Sequence, residues 1–200
     1  MAAETGLTTS RMLNGLAYDM ANKASDIGIP AGNDRYPVYD TSGELVGYTL
    51  ASAALAIAPV SLTATTVLTA ASHANRTLLM GASGAALTFT LPAATGSGNK
   101  YRFVVSVVNT SNYLIKASAG TMLFTGMIIG QSATDSATDA ARTWVAGASD
   151  DSLLLNGTTR GGVTKGDWIE FEDCSATQWA VKGMITQSGS EATPFENTVA

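Results

Sequence analysis

Cysteine, histidine and charge are what this chain nearly does without. Its 200 residues include one Cys, Cys174, and one His, His73. A single thiol excludes an intrachain disulfide, so stability has to come from packing and from association. One His and one Cys also fall short of a zinc ligand set, and neither a metal nor a cofactor is expected. No nucleophile elbow accompanies His73, whose neighbours read as a loop before a strand, so a capping or solvent-exposed role is expected of it. Charged residues make up 14% of the chain, against a usual figure of about 25%. The net charge of −5 leaves no basic face for a phosphate backbone, which excludes a nucleic-acid partner.

Residues 45–72 carry no charge, yet a membrane span is not expected there. The segment contains Pro59 and many Thr and Ser, and its densest apolar part, residues 50–62, has 13 residues where a span needs about 20. The start, Met1-Ala2-Ala3-Glu4-Thr5-Gly6, lacks the basic-then-apolar order of a secretory signal.

What the chain does have is a run of short alternating segments separated by Gly-, Asn- and Asp-rich turns. Strands are expected at 78–82, 87–91, 101–108, 113–117, 122–129, 143–146, 152–156, 167–173 and 178–185. The spacing of about 8–12 residues points to a mainly β domain over 67–200, an antiparallel β-sandwich or jelly-roll-like barrel. Asp167-Trp168-Ile169-Glu170-Phe171-Glu172-Asp173 alternates so that Trp168, Glu170 and Glu172 share one face. That mixed face makes them candidates for an oligomer interface. Residues 131–142 break the rhythm and read as an exposed loop.

Residues 1–66 read as an N-terminal arm. A helix is expected over about 8–25, with Met12, Leu13, Leu16, Ala17, Met20 and Ala21 at i, i+3/i+4 spacing. Gly15 weakens it by about 1 kcal/mol relative to Ala, so it needs a partner surface, in its own domain or on another subunit. A hairpin is expected over about 36–48 around Asp40-Thr41-Ser42-Gly43, followed by a connector.

The motifs that could carry chemistry are sparse. Asp40-Thr41-Ser42-Gly43 lacks the Gly placement of an aspartic-protease loop and reads as a turn. Thr95-Gly96-Ser97-Gly98-Asn99 lacks the Lys and Ser/Thr of a phosphate loop. Asp135, Asp139, Asp150 and Asp151 follow no calcium-loop spacing. Glu170, Glu172 and Asp173 form the densest acidic group, the one feature on which a hydrolase reading could rest. Solvated or ion-paired carboxylates are the simpler expectation, and no enzyme activity is expected.

Between residues 69 and 195, about two-thirds of the chain, there is a more specific pattern. The segments "LTAASHANRTLLMGASGAALTFTLPAATGSGNKYRFVV", "SNYLIKAS", "DSLLLNGTTRGGVTKGDWIEFEDCSATQWAVKGMI" and "SGSEATPF" carry it, with Leu91-Pro92-Ala93-Ala94-Thr95-Gly96, Gly166-Asp167-Trp168-Ile169-Glu170 and Ala192-Thr193-Pro194-Phe195 as its strongest pieces. This resembles the β-rich domain of tailed-bacteriophage structural proteins and is similar to head decoration (cement) proteins. The resemblance implies a homotrimer, made in the host cytoplasm, that sits on the outer capsid surface and stabilises contacts of the major capsid protein. Met12, Leu13, Leu16, Met20, Tyr36, Tyr39 and Tyr48 in the arm are then the candidate capsid contacts, since Met and aromatics favour interface cores. Related β domains also occur in tail fibres and appendages. A subunit of that kind would bind a host-surface glycan, with Trp144, Trp168 and Glu170 as its candidates.

Overall fold

Alternating apolar residues in short segments favour strands with one face buried, and the structure is mainly β. The computed structural model describes residues 37–39, 45–47, 58–82, 84–133 and 141–199. The chain divides into two units, Met1–Ala54 and Leu55–Ala200. In the first, β1 (Pro37–Tyr39) pairs antiparallel with β2 (Leu45–Gly47), Val38 opposite Val46. The helix expected over 8–25 and the side chains of Met12, Leu13, Leu16, Met20, Tyr36, Tyr39 and Tyr48 lie outside the described residues.

In the second unit the sheets are mixed, which corrects the expectation of an antiparallel domain. The chain runs through β3 (Val60–Leu62), β4 (Thr66–Val67), a one-turn helix α1 (Ala70–His73), β5 (Arg76–Met80), β6 (Leu87–Thr90), β7 (Lys100–Val105) and β8 (Tyr113–Lys116). These strands alternate between two sheets, and each pairs parallel with the strand two before it: β3–β5–β7 in one sheet, β4–β6–β8 in the other. The path is a coil of successive turns. Turn residues such as Gly and Asn report that the chain reverses, but not which sheet the next strand joins. Val60–Leu62 already belongs to this body, ahead of residue 67.

The remaining strands extend the two sheets beyond β7 and β8. They are β9 (Leu123–Ser132), β10 (Arg142–Val145), β11 (Ser152–Leu155), β12 (Trp168–Ser175), β13 (Gln178–Gln187) and β14 (Phe195–Glu196). The seven-stranded sheet has the order β10-β9-β13-β12-β7-β5-β3, and the five-stranded sheet β14-β11-β8-β6-β4. β12 pairs antiparallel with both β7 and β13, whereas β9 runs parallel to β13 from Leu123↔Gln178 to Ser132↔Gln187. All nine expected strands are present within a few residues of their expected bounds. The short β3, β4 and β14 are additions.

Both sheets contribute to one core. Phe89 of the five-stranded sheet lies 5.8 Å, centroid to centroid, from Phe103 of the seven-stranded sheet, and 6.0 Å from Tyr113. Phe103 meets Phe171 edge-on at 5.8 Å, and Phe171 meets Phe124 at 5.0 Å. Such ring pairs add about 0.5–1.5 kcal/mol each beyond the area they bury. The polar atoms of the buried rings are handled unequally. The Tyr113 hydroxyl accepts from the Ala82 N–H at 3.0 Å and lies against the carbonyls of Ala82 and Val107. The indole N–H of Trp179 is buried without a hydrogen-bond partner.

The long parallel ladder depends on a close backbone approach at Gly126. Its φ is +124°, and a Cβ there would stand 2.1 Å from the Val181 carbonyl oxygen. Gly126→Ala is therefore expected to destabilise the fold by more than about 1 kcal/mol, through both strain and the lost approach. Urea unfolding would read this as a lower midpoint, and an unchanged midpoint would refute the close approach.

Candidate interaction surface

Strand alternation sends one residue in two to the outer face of the seven-stranded sheet, and the registers align those residues in rows. One row runs Thr143, Ile129, Met184, Trp168, Val104, Leu79 across β10, β9, β13, β12, β7 and β5. The adjacent row runs Val145, Met127, Lys182, Glu170, Arg102, Thr77. The face thus has two halves. Exposed apolar side chains gather on β10, β9 and β13, with Lys182 of β13 opposite Met127, and charged side chains gather on β12 and β7, where Trp168 and Val104 continue the apolar row.

The ionic half is internally matched. Glu170 accepts from Lys182 Nζ at 3.0 Å, and Lys100 Nζ stands 3.5 Å from Glu172. The Glu170 carboxylate holds the Lys182 ammonium above its ordinary pKa, by hydrogen bonding first and by charge second. The Arg102 guanidinium lies over the Trp168 ring, 4.5 Å from its centroid. An open depression of about 260 Å³ here is lined by Asn75, Arg76, Thr77, Lys100, Arg102 and Glu170. Three cations, Lys100, Arg102 and Lys182, stand beside the two carboxylates Glu170 and Glu172, while Arg76, at the rim of the depression, donates to the carbonyls of Ala58 and Ser72 at 2.7 and 2.9 Å.

The apolar half is open. Five large hydrophobic side chains are exposed among the described residues, and four of them fall here: Met127 (53% exposed), Ile129 (42%), Val145 (65%) and Met184 (48%). Ile129, Trp168 and Met184 also line a depression of about 190 Å³. Sequence reasoning placed Trp168, Glu170 and Glu172 on this face but missed the methionines and Ile129. The available signal was Met127-Ile128-Ile129, apolar at consecutive positions, which puts apolar side chains on both faces of one strand.

The other candidate groups are not brought together. Asp173 is buried on the opposite side of β12 from Glu170 and Glu172. Trp144 turns inward, donating from Nε1 to Gln187 Oε1 at 2.7 Å, while Gln187 Nε2 donates to the carbonyls of Thr159 and Ala192 at 2.7 Å each. With Trp168 covered by Arg102 and Glu170 held by Lys182, all three residues of the glycan-binding alternative are already engaged. His73 Nδ1 accepts from the Thr69 N–H at 3.0 Å, a local cap on α1. Among the described residues no cluster of His, Cys, Asp and Glu could hold a metal ion, and no helix is long and apolar enough to cross a membrane.

Two buried aspartates brace the ends of β12, with opposite electrostatics. Burial works against the charged form of Asp173, but hydrogen bonds from the Ser97 hydroxyl, the Gly96 N–H, and the Thr95 hydroxyl and N–H outweigh it, holding its pKa at about 2 against an ordinary 3.8. For Asp167, burial dominates and raises the pKa despite donors from Thr186, Thr164 and Gly162. The depressed Asp173 pKa stabilises the fold at pH values above the unfolded carboxyl pKa, and this is lost as pH falls from about 4 towards 2, a term of about 2 kcal/mol. The raised Asp167 pKa has the reverse sign, so its contribution is present in acid and lost as pH rises through that raised pKa. Asp173→Asn is expected to lower the urea midpoint at pH 7 and flatten its fall between pH 4 and 2. Asp167→Asn, whose amide can still accept from the N–H donors and can donate to Thr186 Oγ1, is expected to cost little at pH 7. Equal losses in the two variants would contradict this assignment.

No family model, curated protein or solved structure matches this chain, so the chemistry of this face rests on its own residues.

Proposed function

We propose that this chain is a structural, assembly-forming protein of a tailed-phage particle: a head decoration protein that forms a homotrimer on the outer capsid surface and stabilises contacts of the major capsid protein. The observation that carries the reading is the concentration of exposed apolar side chains on one sheet face, which suits a protein that works by being covered. The reading is further supported by the sequence resemblance described above. The two sheets of the second unit stack in the manner of a sandwich, for which the Phe89–Phe103 contact is the support. Residues of the first unit, Met12, Leu13, Leu16, Met20, Tyr36, Tyr39 and Tyr48, supply the contacts to the shell. Three such arms on one body bind at high effective concentration even when each binds weakly.

A subunit of a tail fibre or appendage is the second reading. It is favoured by the coil of parallel strands β3 to β8, since stacked coils are how elongated β structures extend. The engaged state of Trp144, Trp168 and Glu170 counts against a glycan platform at those residues.

A ligand that binds only the assembled shell stabilises it by mass action. Particles stripped of this protein are expected to release DNA at a lower temperature than intact ones, and re-addition of the full chain is expected to restore the release temperature. An unchanged release temperature would remove the decoration reading, and a count of a few copies per virion, in place of hundreds, would favour the tail.

A further inference from the structure

We infer that the depression bounded by Ile129, Met184, Trp168 and Asp167 is a binding site for a primary alkylammonium group, borne by a free amine or by a lysine side chain. β9 and β13 run in register here, so that Ile129 stands beside Met184 and Gln131 beside Thr186 on the outer face. Trp168 continues the first of these pairs across β12, and Asp167 directly precedes it in the chain. All six residues line one open volume of about 190 Å³. Ile129, Met184 and Trp168 make its apolar end; Gln131, Thr186 and Asp167 make its polar end.

The charge of the ligand follows from Asp167, which is 7% exposed. Its Oδ1 accepts from the Thr186 hydroxyl at 2.9 Å, and its Oδ2 from the N–H groups of Thr186 and Gly162 at 2.8 and 3.1 Å. These donors are neutral, and among the described residues no cation pairs with this carboxylate. Lys165, two residues before it, is exposed. Glu170 and Glu172 on the same face hold lysines; Asp167 does not. A carboxylate so far removed from water gains most from a cation, and burial raises its pKa, the sign of an anion short of compensation. An ammonium brings three N–H donors. The polar end offers three acceptors: the Asp167 carboxylate, the Thr186 hydroxyl, whose proton is committed to Asp167, and the exposed Gln131 amide oxygen. Arg102 and Lys182 lie in the adjacent row and do not line the depression. The apolar end suits methylenes, and an unbranched methionine adapts to them. At about 30 Å³ per water, the volume holds about six water-sized groups, enough for the four methylenes and nitrogen of a lysine-like stem.

The site is separate from the assembly reading, which stands or falls without it. The test titrates the full chain with n-pentylammonium chloride, with n-pentanol, and with the peptide acetyl-Gly-Lys-Gly-amide, following amide chemical shifts by NMR. Pentylammonium is expected to give saturable shifts at Ile129, Gln131, Gly166, Asp167 and Thr186, with a Kd on the order of millimolar. Pentanol, which has the stem but no charge, is expected to leave them unchanged. Asp167→Asn is expected to weaken the amine about tenfold or more, the loss of one charge-assisted partner. Met184→Ala, at an exposed position where the fold is not at stake, is expected to weaken it by a smaller factor. Far-ultraviolet circular dichroism verifies that both variants are folded. Saturable binding of the peptide as well as the amine assigns the site to a lysine of a neighbouring protein; binding of the amine alone assigns it to a free amine. Equal binding of pentanol and pentylammonium, or full binding by folded Asp167→Asn, would overturn the inference. So would the absence of saturable shifts with both the amine and the peptide.

Discussion

The contact between Phe89 and Phe103 is where the two sheets of the second unit become one body. Neither sheet can bury its inner face alone, because each strand offers only every second side chain to the core. Once the rings of Phe89, Phe103, Phe171 and Phe124 are in contact, the inward residues of seven strands and five strands are satisfied by the same hydrophobic layer. The turns then become the weak points, and buried polar groups are placed to hold them: Asp173 beneath residues 95–97, Asp167 beneath Gly162 and Thr186, Gln187 beneath Thr159 and Ala192. Each supplies acceptors or donors where the backbone has left the ladders, which removes the penalty of burying unpaired peptide groups.

With the core fully assigned to the inner layer, side chains on the outer face of the seven-stranded sheet answer to a different constraint. Nothing in the packing of the core requires Met127, Ile129 or Met184 to be apolar. The ionic half of the same face shows what the sheet does when it faces solvent: it pairs charges across strands and lays a guanidinium on the one tryptophan. The contrast, on one sheet and in one register, is between side chains that pair their charges and apolar side chains that stand exposed.

Much of the strand content was legible because half-covered strands keep a period of two, as Trp168 to Asp173 and Leu87 to Thr90 do. The parallel pairing was not, because the partner of Leu78 is Phe103 and not a residue across the next turn. Parallel strands joined through helices lose their alternation when both faces are buried. Here the crossover is a strand of the other sheet, so β6 and β8 keep the alternating burial of an antiparallel sheet and conceal their topology. The interaction face was half legible for a similar reason. Alternation fixed which way Glu170 and Glu172 point, but their partners Lys100 and Lys182 come from two different strands. Which of Met127, Ile128 and Ile129 faces outward depends on the ladder with β13, a pairing that local sequence does not encode.

The parallel ladder between β9 and β13 also sets an order of events for a chain made from its N-terminus. Leu123 leaves the ribosome well before its partner Gln178, and β12, which carries β13 into place, is also made later. During that interval the coil of β3 to β8 can already wind, since its partners lie one turn apart, whereas β9 has no strand on which to settle. β9 and β10 are thus the last strands of the seven-stranded sheet to find their place, with only their antiparallel pairing to each other to hold them meanwhile. In a cell making many copies at once, that delay is the period in which an apolar strand with free backbone groups is most open to capture by the wrong neighbour.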